Sequence, residues 1–155
     1  LCTVLIFLDA VTLDNGPLEV VPGTHRGEIY TLWHDGVFTG AVDAAIEDKH
    51  RPQALKCTGM AGDACLMHSR LLHGSLPNLT DSPRRLFIVT YAAEDAIALT
   101  ANQVPHKFDG EIVRGVATGR IRASNYQLDM PEYPKTVSFF GQQARVKTAT
   151  PTGTA

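Results

Sequence analysis

The most informative stretch of the sequence joins two apolar segments and carries a histidine at its start and an arginine at its end. It reads His73-Gly74-Ser75-Leu76-Pro77-Asn78-Leu79-Thr80-Asp81-Ser82-Pro83-Arg84. Glycine, proline, asparagine and aspartate favour turns, and the apolar segments 64–67 and 86–91 on either side have the composition of β-strands. We therefore predict that the two flanking strands run side by side and direct His73 and Arg84 into one cavity.

Short apolar segments separated by glycine, proline and asparagine continue along the rest of the chain. This pattern is typical of antiparallel strands and not of strands that alternate with helices. We predict strands near residues 3–9, 17–21, 53–58, 62–68 and 85–92, with tight turns at 14–17 and 60–63. The predicted fold class is mainly all-β, a sandwich of antiparallel strands with loop and short helix insertions.

The length and composition fit one globular domain. The chain has 155 residues, of which 44% are hydrophobic and 19% charged, as in ordinary domains. We predict a single partial domain over residues 1–146, with a long insertion loop at 27–52, a C-terminal cover at 100–146 and a flexible tail at 147–155. Residues 41–48 within the insertion permit a helix. Since the chain begins without methionine on a strand-like segment, we expect it to be the C-terminal part of a longer protein, incomplete at the N-terminus.

Charge and cysteine content limit the possible partners. The formal net charge of −2 provides no basic footprint for nucleic acid, and the longest apolar run, residues 4–8, is too short to span a bilayer. Cys2, Cys57 and Cys65 are odd in number and have no CxxC spacing, so we predict buried free thiols in a reducing, cytoplasmic compartment. We expect neither a nucleic-acid nor a membrane partner.

The chain resembles the phytanoyl-CoA dioxygenase family of Fe(II)/2-oxoglutarate oxygenases over roughly residues 1–92. The resemblance rests on the stretch 73–84, on Leu8-Asp9-Ala10, and on Asp14-Asn15-Gly16-Pro17-Leu18-Glu19-Val20-Val21-Pro22-Gly23-Thr24-His25. It implies a partial jelly-roll domain, or double-stranded β-helix, and an enzyme that uses Fe(II), with 2-oxoglutarate as co-substrate. Such an enzyme couples decarboxylation of 2-oxoglutarate to succinate with hydroxylation of an aliphatic C–H bond of a small-molecule substrate. Some relatives halogenate instead, through a change at a ligand position outside this chain, so hydroxylation and halogenation both stay open.

The resemblance implies roles for three residues. His73 would bind the metal, and Arg84 would bind the 5-carboxylate of 2-oxoglutarate, because a guanidinium group offers a bidentate fork. Ser75 stands two residues after His73, shares its strand face, and would add its hydroxyl to the same carboxylate. Alternation puts Arg84 and Arg85 on opposite faces, and we predict that Arg84 points inward. Asn78 is predicted to form a turn and not to bind a ligand.

The chain lacks the other two iron ligands that this resemblance requires. Such enzymes hold iron with two histidines and one carboxylate, and in this family the first two ligands come as a His-x-Asp pair. None of the six histidines has a carboxylate two positions later. We therefore expect the chain alone to be inactive. We also expect residues 1–10 to present an open strand edge through which two copies could associate.

Two other interpretations fit parts of the sequence. A cupin would use Gly62, His73 and Asn78 as its second motif, but the first cupin motif, with His-x-His and Glu, is missing. A jelly-roll module that binds or assembles without metal would also lack His-x-Asp. A His-x-Asp pair encoded shortly upstream would favour the oxygenase over the metal-free module.

Overall fold

Short antiparallel strands form most of the regular structure in a computed structural model that describes residues 1–98, 102 and 105–123. The strands are β1 (Cys2–Phe7), β2 (Leu18–Val20), β3 (Trp33–His34), β4 (Val37–Phe38), β5 (Leu55–Cys57), β6 (Ala64–His68), β7 (His73–Ser75) and β8 (Leu86–Tyr91). The helical elements are α1 (Ala44–His50) and two 3-10 turns, Thr24–Arg26 and Arg51–Gln53. The predicted strands near 3–9, 17–21, 53–58, 62–68 and 85–92 are all confirmed.

Six of the strands form two three-stranded antiparallel sheets. In the first sheet the order is β6-β1-β8, and in the second it is β5-β2-β7. From β5 onward the chain crosses repeatedly between the sheets, with β6 in the first, β7 in the second and β8 in the first again. This alternation is the jelly-roll arrangement, so the predicted mainly-β fold class is confirmed.

The core lies between the inward faces of these two sheets. Because side chains alternate along a strand, β1 directs both Leu5 and Phe7 inward, where they meet Leu18 of β2 and nearby Val11. Half-buried side chains from both sheets pack around them: Val20, Cys57, Cys65, Met67 and Leu86. Burying a large apolar side chain contributes about 1.5–3 kcal/mol to the free energy of folding. This cluster is therefore the main source of the stability that holds the two sheets together.

The two predicted tight turns are present. In the turn at 60–63, Gly62 has φ of 95°, and the backbone N–H of Asp63 donates to the carbonyl of Met60 over 3.1 Å. In the turn at 14–17, Gly16 has φ of 78°, and a Cβ added there would lie 2.6 Å from the carbonyl oxygen of Leu76. Position 16 therefore requires glycine for its backbone conformation and for the close approach of the neighbouring loop.

Two predictions about strand neighbours are wrong. The strands that flank the 73–84 stretch do not run side by side, because β1 lies between β6 and β8 and pairs with both. Residues 73–75 form a strand of their own, β7, in the other sheet. For the same reason β1 has no open edge. Association of two copies stays a prediction, without the open edge that motivated it. Pairing with β2 outweighed the turn composition around Gly74, since strand formation depends strongly on tertiary context.

The described residues form two compact units, the first comprising 1–28 and 50–123 and the second comprising 29–49. In the second unit β3 and β4 form a hairpin, in which the rings of Trp33 and Phe38 lie 5.5 Å apart. Asp43 accepts the backbone N–H of Ala45 over 2.7 Å at the start of α1. The predicted insertion at 27–52 thus contains a hairpin and the expected helix. The single-domain boundary at 146 stays a prediction.

The described residues after β8 contain neither helix nor strand. Thr118 donates its hydroxyl to Glu94 over 2.6 Å, which together with a backbone hydrogen bond from Thr118 lowers the pKa of Glu94. Arg122 forms an ion pair with Asp95 over 2.8 Å. About half of the predicted cover, from residue 124, and the whole predicted tail lie outside the described residues. In the described part of the chain, no helix has the length and apolar character needed to cross a membrane.

All three cysteines are free thiols, as predicted, but they are only half-buried. Burial raises the pKa of Cys57 to about 11, with a smaller contribution from neighbouring Cys65. These two residues come from different sheets and pack against the same apolar cluster. At neutral pH Cys57 is therefore a protonated core residue.

Candidate functional site

The second sheet places two of the three predicted site residues on one face. In the pairing of β2 with β7, His73 lies opposite Val20 and Ser75 lies opposite Leu18. Cross-strand partners share a face, and both β2 residues point toward the core. His73 and Ser75 therefore point inward together, about 7 Å apart along the strand at ~3.3 Å per residue. The shared face predicted from their spacing is confirmed. Although they point toward the same side as the core residues, both side chains are exposed to solvent.

A backbone carbonyl determines which nitrogen of His73 carries the proton. Its Nδ1 lies 2.7 Å from the carbonyl oxygen of Leu71. Because a carbonyl can only accept, Nδ1 must donate, and the lone pair of the neutral ring is then on Nε2. Metal-bound histidines usually have this arrangement, with the second ring nitrogen donating to a carbonyl or carboxylate. His73 therefore fits the role of one metal ligand through Nε2.

Arg84 lies on the inward side and Arg85 on the outward side, as alternation predicts. Arg84 stands two residues before Leu86, which packs against the core. Arg84 is half-buried, whereas the side chain of Arg85 is 68% exposed. The Nε of Arg84 donates to the carbonyl oxygen of Asn15 over 3.2 Å. Its Nη atoms have no partner among the described residues, so they are available to bind a carboxylate.

The turn that receives Arg84 is held by a buried asparagine. Asn15 is 7% exposed; its Oδ1 accepts from the backbone N–H of Thr12 and its Nδ2 donates to the carbonyl of Ala10, both over 2.8 Å. Sequence reasoning placed Asn15 in a turn but missed its contact with Arg84. The contact joins residues 69 positions apart, and no local pattern signals it.

The segment 15–20 is the common neighbour of all three site residues. Arg84 bonds to its first residue, Ser75 pairs with Leu18, and His73 pairs with its last residue. In order along this segment, the neighbouring groups are the guanidinium of Arg84, the hydroxyl of Ser75 and the imidazole of His73. A small dianion could therefore contact the guanidinium and the hydroxyl with one end and a metal on the imidazole with the other.

Asn78 is the turn former predicted from the sequence. Its Nδ2 donates to the carbonyl of Ser82 over 2.8 Å, and its Oδ1 accepts from the backbone N–H and the hydroxyl of Thr80 over 2.9 and 2.8 Å. Both polar atoms are thus used within the turn. The neighbouring Leu79 N–H donates to the carbonyl of Asp14 over 2.9 Å, which attaches this loop to the turn that holds Arg84.

A separate cleft of about 560 Å³ is lined by neither His73 nor Arg84, so the cavity expected to receive both residues stays a prediction. Its lining residues are Asp9, Ala10, Thr12, Asn15, Thr80, Ser82, Pro83 and Arg85. Arg85 binds both carboxylate oxygens of Asp9, at 2.7 Å from Nη2 and 2.9 Å from Nε. These hydrogen bonds lower the pKa of Asp9 to about 2. Arg85 is therefore engaged in an ion pair.

The described residues do not contain a complete metal site. Within them, no three histidine, cysteine, aspartate or glutamate side chains lie close enough together to hold a metal ion. His73 would therefore share its metal with ligands from elsewhere.

Comparison with known proteins agrees with the sequence motifs. The model of the phytanoyl-CoA dioxygenase (PhyH) family matches residues 1–86, more than half of the chain. The chain belongs to the phytanoyl-CoA dioxygenase family. The resemblance inferred from the 73–84 stretch is thus confirmed over nearly the whole range predicted for it.

Curated relatives of this family member are longer than the chain. A Stutzerimonas stutzeri protein named probable alpha-ketoglutarate-dependent hypophosphite dioxygenase is 34% identical over 147 residues, which cover 91% of this chain and 50% of the relative. A probable phytanoyl-CoA dioxygenase of Caenorhabditis elegans is 31% identical over 99 residues, covering 61% and 31%. The chain therefore spans half or less of the length of these relatives.

Among solved structures, EctD from S. alaskensis with 2-oxoglutarate and 5-hydroxyectoine is 32% identical, with a TM-score of 0.45. The match covers 56% of this chain and 29% of EctD. EvdO2 from Micromonospora carbonacea var. aurantiaca, complexed with 2-oxoglutarate, is 30% identical with a TM-score of 0.41, covering 56% and 36%.

Proposed function

We propose that this chain contributes one iron ligand and the co-substrate clamp of an Fe(II)- and 2-oxoglutarate-dependent dioxygenase that hydroxylates an aliphatic C–H bond of a small molecule. Family membership supports the reaction class. The observation that carries the proposal is the hydrogen bond from His73 Nδ1 to the Leu71 carbonyl, since it leaves Nε2 as the metal-binding atom. When bound, Fe(II) and 2-oxoglutarate would activate O2: one oxygen atom would go to succinate as carbon dioxide is released, and the other to the hydroxyl group of the product.

Each proposed residue has one task in binding. The Nη atoms of Arg84 bind the 5-carboxylate, held in direction by the bond from Nε to the turn at 14–17. A bidentate contact between guanidinium and carboxylate is both strong and directional. The hydroxyl of Ser75 donates to the same carboxylate. His73 holds the metal toward the other end of the co-substrate.

The proposal requires a His-x-Asp pair from sequence upstream of this chain. Two histidines and one carboxylate on one face of iron leave the remaining positions for 2-oxoglutarate and oxygen. We propose that the chain without that pair is inactive. The names of its relatives contain hypophosphite, proline and phytanoyl-CoA, so we propose a small-molecule substrate without choosing among these. The free thiols support a cytoplasmic location.

Iron content and succinate formation test the proposal in a longer protein that carries the chain with its upstream His-x-Asp segment. His73→Ala should abolish stoichiometric iron binding and succinate formation. His106→Ala is the matched control, since His106 is also exposed and its Nδ1 only accepts the backbone N–H of Phe108 over 3.2 Å. Full iron content in His73→Ala would refute the assignment.

A further inference from the structure

The peptide group that orients His73 is itself held from its other side. This peptide joins Leu71 to Leu72: its carbonyl accepts from His73 Nδ1 over 2.7 Å, and its N–H donates to the hydroxyl oxygen of Thr24 over 2.9 Å. The C=O and N–H of a trans peptide are held rigidly in one plane and point in opposite directions. A group that fixes the direction of the Leu72 N–H therefore also fixes the direction of the Leu71 carbonyl.

The hydroxyl of Thr24 can hold that N–H because its own proton is already committed. Thr24 Oγ1 donates to the carbonyl of Val21 over 2.8 Å, so an oxygen lone pair remains for the Leu72 N–H. The backbone N–H of Val21 donates in turn to the carbonyl of Leu72 over 2.9 Å. Threonine is β-branched, which restricts its side-chain rotation. The hydroxyl is therefore a fixed acceptor.

Other contacts hold the segment 21–27 against the segment 68–72 without this hydroxyl. The rings of His25 and His68 lie 5.4 Å apart, and Arg70 Nη2 donates to the carbonyl of Gly27 over 3.0 Å. Loss of the Thr24 hydroxyl should consequently leave the segments docked while it frees the Leu71–Leu72 peptide to rotate. This separates an effect on orientation from an effect on folding.

We propose that Thr24 is a positioning residue for His73, acting through the Leu71–Leu72 peptide plane. The hydroxyl holds the peptide, the peptide carbonyl holds the proton on Nδ1, and Nε2 keeps its lone pair facing the metal position. Without the hydroxyl, the carbonyl can turn toward water, and the proton can move to Nε2, where it blocks metal binding. The metal-binding consequence rests on the proposed function, whereas the tautomer is a property of this chain by itself.

Long-range ¹H–¹⁵N NMR of the histidine rings tests the tautomer in the chain, at a pH where the imidazoles are neutral. His73 should carry its proton on Nδ1 in the unaltered chain and in Thr24→Ser, which keeps the hydroxyl. Thr24→Val should give a mixture of both tautomers. Thr39→Val is the matched control, because Thr39 is buried and its hydroxyl bonds to the carbonyl of Leu32 instead. A Thr24→Val chain that folds and keeps only the Nδ1–H tautomer would overturn the proposal.

A second measurement needs no substitution and covers the case in which Thr24→Val does not fold. The Leu72 amide should exchange slowly with deuterium in the unaltered chain, because it is bonded to Thr24 Oγ1. Exchange as fast as that of an unbonded, exposed amide would overturn the proposal. Slow exchange and the Nδ1–H tautomer in the unaltered chain support it.

Metal titration of the longer protein separates this proposal from the proposed function. Thr24→Val should weaken Fe(II) binding by about 3- to 10-fold, less than the 10–100-fold typical when a direct partner of a metal ligand is lost, and Thr24→Ser should restore it. If the tautomer shifts in Thr24→Val but His73→Ala still binds iron, the positioning role stands and the ligand role fails. If the tautomer does not shift, the positioning role fails whatever the metal does.

Discussion

Replacing Arg84 by alanine in the longer protein should weaken 2-oxoglutarate binding by about two orders of magnitude. The carboxylate would lose its cation while remaining partly withdrawn from water. Removing one partner of a buried ion pair costs roughly 3–5 kcal/mol. Because Arg84 is half-buried and not fully buried, we take the lower end, about 3 kcal/mol, which is about a hundredfold in Kd.

Anaerobic titration with 2-oxoglutarate in the presence of Fe(II) measures this change directly, and the KM for succinate formation provides a second readout. Arg84→Lys should be intermediate, since an ammonium group cannot form the bidentate contact. Arg85→Ala is the matched control: it removes an adjacent arginine that is exposed and paired with Asp9. Its 2-oxoglutarate affinity should be unchanged.

Equal losses for Arg84→Ala and Arg85→Ala would refute the reasoning. So would a larger loss for Arg85→Ala. Either result would mean that Arg84 is not the arginine that points inward before β8. The assignment of Arg84 to the 5-carboxylate would then be wrong.

Three further predictions concern the chain as it stands. The isolated chain should neither retain stoichiometric Fe(II) on a desalting column nor form succinate above background; turnover would reveal ligands that we have missed. The ion pair with Arg85 stabilises the fold while Asp9 is charged, and Asp9 has a pKa of about 2 in the fold against an ordinary 3.8. The difference in thermal unfolding midpoint between the chain and Asp9→Asn should therefore be constant above about pH 4 and shrink as the pH falls through 2; a difference that persists at pH 1.5 would contradict this. Gly16→Ala should lower the free energy of unfolding in urea more than Gly23→Ala. Both glycines have positive φ, so the added side chain should cost about 1 kcal/mol of unfolding free energy at either position. Only at position 16 does the new Cβ also meet a carbonyl oxygen; at position 23 nothing lies within 4 Å of it. Equal losses would show that the loop at 76–79 moves aside freely.

Much of the local structure could be predicted from the sequence because its signals lie in neighbouring residues. Apolar segments between turn formers predicted five of the strands, namely β1, β2, β5, β6 and β8. The glycines at positions 16 and 62 marked turns that need positive φ. Parity along one strand was sufficient to predict which of Arg84 and Arg85 points inward. The 73–84 stretch, together with Leu8-Asp9-Ala10 and residues 14–25, was sufficient to indicate the family.

Strand neighbours and the support of the site were decided only by the tertiary structure. Residues 73–75 have turn composition. They form a strand because they pair with β2, which lies more than fifty residues earlier in the sequence. Asn15 and Thr24 hold Arg84 and the peptide before His73 through bonds that span 69 and 48 positions. Propensity and alternation act between residues close in sequence, whereas strand pairing and these hydrogen bonds depend on which distant segments meet when the core closes.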